Sequence, residues 1–185
     1  MLRLLQVAVA LMMLSTGGAF AQGQVGGLVD QTGASFDQTS LSGGFHLVYF
    51  GFTNCPEVCP TSLFEMTAAI DLLPEAERKK VTPVFVTLDP ARDTSELMAR
   101  YVQPLGHGFV TVSGPVEAID RFAAQNRIVA VRNLPEPDGS YSVDHSSEVI
   151  LFGPDGREIE RFPYSMDYRE VAQRLGNHVA STPRS

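Results

Sequence analysis

Residues 45–52 form a nearly continuous apolar run with several aromatics. The run is too short for a typical helix and reads as a buried central strand. Leu63, Met66, Ile70 and Leu73 then recur at helical spacing and make one apolar face. Pro60 suits the first turn of that helix, where a missing N–H costs nothing, and Pro74 marks its end. Residues 81–88 read as the next strand, with Pro83 weakening its start. Asp93-Thr94-Ser95-Glu96 resembles a capping box opening a helix with Leu97, Tyr101 and Leu105 on one face, closed by Gly106. Residues 109–112 read as a short strand, and Pro115 opens a helix carrying Val116, Ile119, Phe122 and Ala123. Two strand pairs follow. Residues 128–132 and 141–143 flank the turn Pro135-Glu136-Pro137-Asp138-Gly139, and residues 148–152 and 157–162 flank Gly153-Pro154-Asp155-Gly156. The last helix starts at Asp167, with Glu170 three residues on as a capping box. Ahead of everything, residues 28–33 look like a strand entering a turn, which suggests a hairpin.

Alternating strands and helices, then an antiparallel pair and a helix, predict an α/β fold: a mixed sheet flanked by helices, with an N-terminal hairpin and an inserted one. A length of 185 residues favours one domain. Apolar residues at 44% and charged residues at 19% fit a globular chain rather than a disordered one. The net charge of -7 gives no general attraction for nucleic acid or an anionic membrane surface, so no nucleic-acid partner is expected. The densest basic cluster, Arg78-Lys79-Lys80, reads as a solvated helix end.

The first residues change the picture of where the chain works. Arg3, an apolar stretch over residues 4–14 and the small-x-small pattern Ala19-Phe20-Ala21 read as a cleavable signal peptide over residues 1–21. The apolar stretch is short for a bilayer span, which needs about 20 residues. The expected organisation is therefore a leader, a folded domain over residues 22–180 and a frayed tail over 181–185, with the protein exported to the periplasm or held there by an uncleaved leader.

Only two cysteines exist, Cys55 and Cys59. A disulfide between them would close a very short loop and constrain the unfolded chain little, so a chemical role is favoured over a structural one. Both lie in Phe52-Thr53-Asn54-Cys55-Pro56-Glu57-Val58-Cys59-Pro60, between the central strand and the first helix, where ligands of open α/β sheets bind. Cys59 falls at the helix N-terminus, which predicts a lowered thiol pKa. Two thiolates are too few for a structural zinc site but suit a soft ion of low coordination number, above all Cu(I). A third ligand is then expected from far along the chain. His145 is the best candidate, with Asp144 available to orient its imidazole. A lone histidine is more often structural, and that reading is kept for His46, His107 and His178.

Four ordered segments resemble the signature of the Sco/SenC family: Phe50-Gly51-Phe52-Thr53-Asn54-Cys55-Pro56-Glu57-Val58-Cys59-Pro60-Thr61, Leu88-Asp89-Pro90-Ala91-Arg92-Asp93-Thr94, Val143-Asp144-His145-Ser146 and Phe152-Gly153-Pro154-Asp155-Gly156. The resemblance runs from about residue 26 to 175. It implies a thioredoxin-like fold with inserted hairpins. It implies copper ligation by Cys55, Cys59 and His145, as Cu(I) or Cu(II), and assembly of the copper centre of cytochrome c oxidase. The partners implied are the apo copper-site subunit of that oxidase and a periplasmic copper donor or thiol reductant. Asp89 and Asp93 match family positions near the site, alongside their plainer readings as a strand-end turn and a helix cap.

Two functions compete. A metallochaperone would take copper on the reduced pair and pass it by ligand exchange. A thiol-disulfide oxidoreductase would use Cys55 and Cys59 as a redox pair, reducing the cysteines of an apo copper site. Redox thioredoxins use C-x-x-C and a proline ahead of the strand that corresponds to residues 148–152. Here the spacing is one longer, and Asp144-His145-Ser146-Ser147 contains no proline, which favours metal. A thiol peroxidase would need T-x-x-C, and Thr53-Asn54-Cys55 is one residue short.

Overall fold

The computed structural model describes residues 27–181. The expected leader lies outside the described residues, as does the tail beyond residue 181. The elements run β1 (Leu28–Asp30), β2 (Ser35–Phe36), β3 (Phe45–Gly51), α1 (Val58–Asp71), α2 (Glu75–Arg78), β4 (Val81–Thr87), α3 (Ser95–Val102), β5 (Val110–Ser113), α4 (Val116–Gln125), β6 (Ala130–Arg132), β7 (Val143–His145), β8 (Val149–Phe152), β9 (Glu158–Phe162) and α5 (Tyr168–Ser181). Seven strands form one sheet in the order β2-β1-β5-β4-β3-β8-β9, and β6 and β7 form a separate hairpin. β3, β4 and β5 run parallel, while β1, β8 and β9 pair antiparallel. This is the mixed sheet and the two hairpins that the patterning predicts.

The apolar run over 45–52 is continuous because β3 is buried on both sides. Tyr49 and Phe50 face opposite ways. Tyr49 stacks on Phe85, which meets Tyr101 of α3, and Phe50 meets Phe122 of α4. Helices therefore cover both faces. Pro83 is tolerated because β5 reaches β4 only from Val84 onward, so the proline lies where β4 has a partner on one side.

Several local expectations shift. The buried face of α3 centres on Met98 and Val102, with Tyr101 partly buried, rather than on Leu97, and Leu105 lies in the turn after the helix. On α4 the inward positions are Ala118, Ile119, Phe122 and Ala123, and Val116 is exposed. Thr94, not Asp93, caps α3 through the Leu97 amide. At α5, Asp167 accepts from the Arg169 amide, but Glu170 turns outward to Arg174, so no capping box closes. The first strand of the inserted hairpin is shorter than expected but ends at Arg132 as expected, while the second runs two residues later than expected, which puts His145 inside β7 instead of just beyond it.

Candidate metal centre

The Cys55 loop leaves the carboxyl end of β3 and enters α1. Here the helix N-terminus works differently from the sequence expectation. The Cys59 amide donates to the Cys55 sulfur at 3.3 Å, so the free helix amide serves Cys55 and not the Cys59 side chain. The Cys59 thiol is fully buried, and burial pushes its pKa up to about 12, the reverse of the lowered value that its helical position suggests. Desolvation outweighs the dipole because the sulfur faces the sheet, away from the helix axis. Cys55 is half-buried at the edge of the same apolar cluster, and both cysteines are free thiols.

Gly51 makes room for the buried sulfur. A methyl group there would stand 2.9 Å from Cys59 Sγ and 2.8 Å from the Tyr49 ring. In sequence the signal is a glycine closing an otherwise bulky strand, which marks close approach by another group.

His145 reaches the pair from 86 residues away. Its Nε2 lies 3.6 Å from Cys59 Sγ. Its Nδ1 lies 2.7 Å from the Ser146 carbonyl oxygen, which accepts only if Nδ1 carries the proton. Nε2 then presents its lone pair to the sulfur. The ring stands edge-on to Tyr49 and Phe52, with centroids 6.2 and 5.9 Å away, and burial lowers its pKa, so the imidazole is held neutral. The Tyr49 hydroxyl is buried beside this contact with no hydrogen-bond partner, and burial raises its pKa.

Asp144 does not orient the imidazole. Neighbouring residues of a strand point to opposite faces, and Asp144 is exposed and accepts from Asn133 at 3.1 Å. The Ser146 carbonyl does that work instead. Asp89 does not touch His145 either. It is buried, accepts from the Tyr141 hydroxyl at 2.6 Å and is ion-paired with Arg92. Asp93, read as a possible helix cap, instead accepts from the Thr53 amide and hydroxyl and from the Thr87 hydroxyl, and so pins the start of the cysteine loop. Sequence reading singled out neither Arg92, Tyr141 nor Thr53, because their partners lie 40 to 52 residues away. His107 pairs with Asp71 and His178 with Glu160, while His46 sits at the far end of β3, all apart from the site.

Two thiols and an imidazole with a free Nε2 suit a soft cation by donor chemistry. Among the described residues, no three His, Cys, Asp or Glu side chains already stand as a closed metal cage. Cys59 and His145 are in contact, and Cys55 flanks them with its sulfur turned to the helix amide.

Fold and site together define a thioredoxin-like protein with a dithiol loop at the end of a central strand and a histidine delivered by an inserted hairpin. The SCO1/SenC family model matches residues 18–180, and the chain belongs to that family. It is 34% identical over 167 residues to protein sco1 of Schizosaccharomyces pombe, a match covering 89% of this chain and 61% of the yeast protein. An SCO2-like protein of Rickettsia typhi is 34% identical over 81% of this chain and 74% of its own length. Among solved structures, copper-bound ScoI of Bradyrhizobium japonicum superposes with a TM-score of 0.73 at 33% identity, covering 82% of this chain and 95% of that one. Copper-bound yeast Sco1 gives 0.76 at 26% identity, over 85% and 88%.

Proposed function

We propose that the protein is a copper metallochaperone that carries copper on Cys55, Cys59 and His145 and delivers it to the apo copper-site subunit of cytochrome c oxidase. The observation that carries the reading is the 3.6 Å approach of His145 Nε2 to Cys59 Sγ, with Nδ1 committed to a backbone carbonyl. In the metal-free protein the Cys59 thiol can donate to Nε2, and loss of that proton on loading leaves the lone pair for the ion. Copper in relatives of 33% and 26% identity supports the choice of ion.

Copper is cargo in this scheme. On loading, the two thiols lose their protons and the three groups close around the ion. Three ligands leave an open position for an incoming thiolate of the acceptor, and half-buried Cys55 is the ligand that exchanges first. Family membership and the Sco/SenC motifs support the oxidase as target, and the leader-like residues 1–21 support action in the periplasm. Among the described residues no helix is long and apolar enough to cross a membrane.

The thiol-disulfide reading keeps one specific support. An exposed-side thiol, Cys55, next to a buried one, Cys59, is the arrangement in which the first attacks a partner disulfide and the second resolves the mixed disulfide. Anaerobic Cu(I) titration against a competing chelator separates the two. Chaperoning predicts one tight equivalent for the protein and much weaker binding for His145→Ala. Equal binding by both removes His145 as a ligand and leaves the oxidoreductase reading.

A further inference from the structure

The ligand set comes from two independent pieces of chain, the cysteine loop after β3 and the β6–β7 hairpin. The hairpin is not part of the main sheet, so no ladder hydrogen bond fixes where it stands. Something else has to set the distance between His145 and the cysteines. The segment over residues 87–93, which leaves the carboxyl end of β4, contacts both pieces.

On the cysteine side, buried Asp93 accepts from the Thr53 amide at 3.1 Å and from the Thr53 hydroxyl at 2.5 Å, two residues before Cys55. The Thr87 hydroxyl holds the other end of the segment, donating to Asp93 at 2.7 Å and accepting from the Asp89 amide at 2.8 Å. On the hairpin side, Arg92 Nη1 donates to the Tyr141 carbonyl at 3.0 Å, and its guanidinium lies 3.6 Å from the centroid of the Tyr141 ring. Asp89, with no exposure at all, pairs with Arg92 and accepts from the Tyr141 hydroxyl at 2.6 Å. The other strand of the hairpin returns the grip, as Arg132 Nε donates to the Leu88 carbonyl at 3.0 Å. Arg92 also lies 5.9 Å from the Phe52 ring, whose other neighbour is the His145 imidazole.

We propose that Arg92, fixed by Asp89, is a positioning residue that locks the hairpin through Tyr141 and thereby sets where His145 stands relative to Cys55 and Cys59. The inference rests on the three-ligand reading above. An arginine suits the task. Its planar fork reaches a carboxylate and a carbonyl at once while its face covers an aromatic ring, whereas a lysine ammonium is a compact charge with neither the fixed fork nor a flat face to lay on the ring. Asp89 is buried and Arg92 and Tyr141 are half-buried, so water competes with these contacts only in part. The lock has no contact with the ligands themselves, so its effect must pass through hairpin position.

The test is a double-mutant cycle on the full chain with Cu(I) alone as the probe. Arg92→Lys should weaken Cu(I) binding about tenfold, the lower range for residues that support metal ligands. In a His145→Ala background the same substitution should change binding by less than about twofold, because the group it positions is gone. Equal losses in both backgrounds, or no loss in the first, overturn the proposal. Tyr141→Phe removes only the hydroxyl and keeps the ring, and serves as a milder variant where Arg92→Lys folds poorly. It should show the same coupling at a smaller size. Amide hydrogen exchange of the metal-free protein gives a readout free of copper. Exchange at Asn133 and Ser146, whose amides donate across the hairpin to the Ser142 and Val129 carbonyls, should speed up in Arg92→Lys while the amides of Val84 and Val86 keep their rates. Unchanged hairpin exchange overturns the lock even where the wild-type protein fails to bind copper tightly, a failure that would count against the chaperone reading alone.

Discussion

The two cysteines are chemically unlike, and that difference is settled by single atoms around them. Cys55 receives the helix amide and stays half-open to solvent, whereas Cys59 is sealed beneath the loop by Gly51, Tyr49 and His145. Because burial holds the Cys59 thiol up to about 12, it has almost no thiolate at neutral pH. Brief anaerobic treatment of the metal-free protein with iodoacetamide at pH 7.5 should therefore give a single adduct. Peptide mapping should place it on Cys55, with Cys59 modified only after denaturation. Gly51 allows a second prediction at this scale. Gly51→Ala pushes a methyl group against Cys59 Sγ, the Tyr49 ring and the Phe85 ring at 3.3 Å or less, all within a packed core. Overpacking of this kind costs about 1–3 kcal/mol, measurable as a lower urea midpoint at unchanged slope. Copper affinity should fall with it, since the displaced sulfur is a proposed ligand.

At the scale of elements, the β8–β9 pair shows how the β9 edge of the sheet is held. Arg161 on β9 is ion-paired with Glu148 and Glu158 and donates to the Asn126 carbonyl at the end of α4. Hydrogen bonds from Arg161, helped by Arg127, keep the Glu158 carboxyl below its ordinary 4.5. A lowered folded pKa means that the unfolded chain takes up the proton first as pH falls. The clamp's contribution is thus complete above about pH 4.5 and is lost as pH drops through the folded value. Glu158→Gln should flatten the fall in urea midpoint between pH 5 and 3, and an unchanged slope would show that other carboxylates dominate acid unfolding.

Element order was legible in the chain because periodicity is a local property: the run over 45–52, the Leu63-Met66-Ile70-Leu73 face and the Gly153–Gly156 turn all appear where expected. Facing was less legible. Leu97 and Met98 are adjacent apolar residues on α3, and only docking against the sheet selects Met98 as the inward one. Because the second hairpin strand runs on to His145, Asp144 faces outward and His145 inward, since strand neighbours alternate. Cys55, Cys59 and His145 stood out in the chain as candidate ligands, but the buried braces did not. Asp93 and Asp89 carry no local mark that distinguishes a helix cap or turn from an anchor for chain 40 to 52 residues away.

For the whole molecule, the division of labour follows from connectivity. The parallel strands β3 and β4 present their carboxyl ends side by side, so the cysteine loop and the bracing segment after β4 are neighbours by topology. The histidine is absent from that edge and must be brought by the insertion between α4 and β8. An ion held by both parts cross-links regions that no sheet ladder joins, and binding to the native state alone stabilises it by mass action. At free Cu(I) about 1,000-fold above the dissociation constant the gain is about 4 kcal/mol. For a domain of this size that corresponds to a rise in Tm of roughly 8–16 °C. The unfolded chain also holds two cysteines four residues apart and competes weakly for the ion, so the rise reports the fold-dependent part of the affinity. Differential scanning calorimetry under argon should show the full rise for the wild-type chain and a much smaller one for His145→Ala, which keeps the local dithiol but loses the cross-link. It should show none for the Cys55→Ser, Cys59→Ser double variant. A rise in His145→Ala equal to that of the wild type would mean that copper sits on the loop alone, with the inserted hairpin taking no part in holding it.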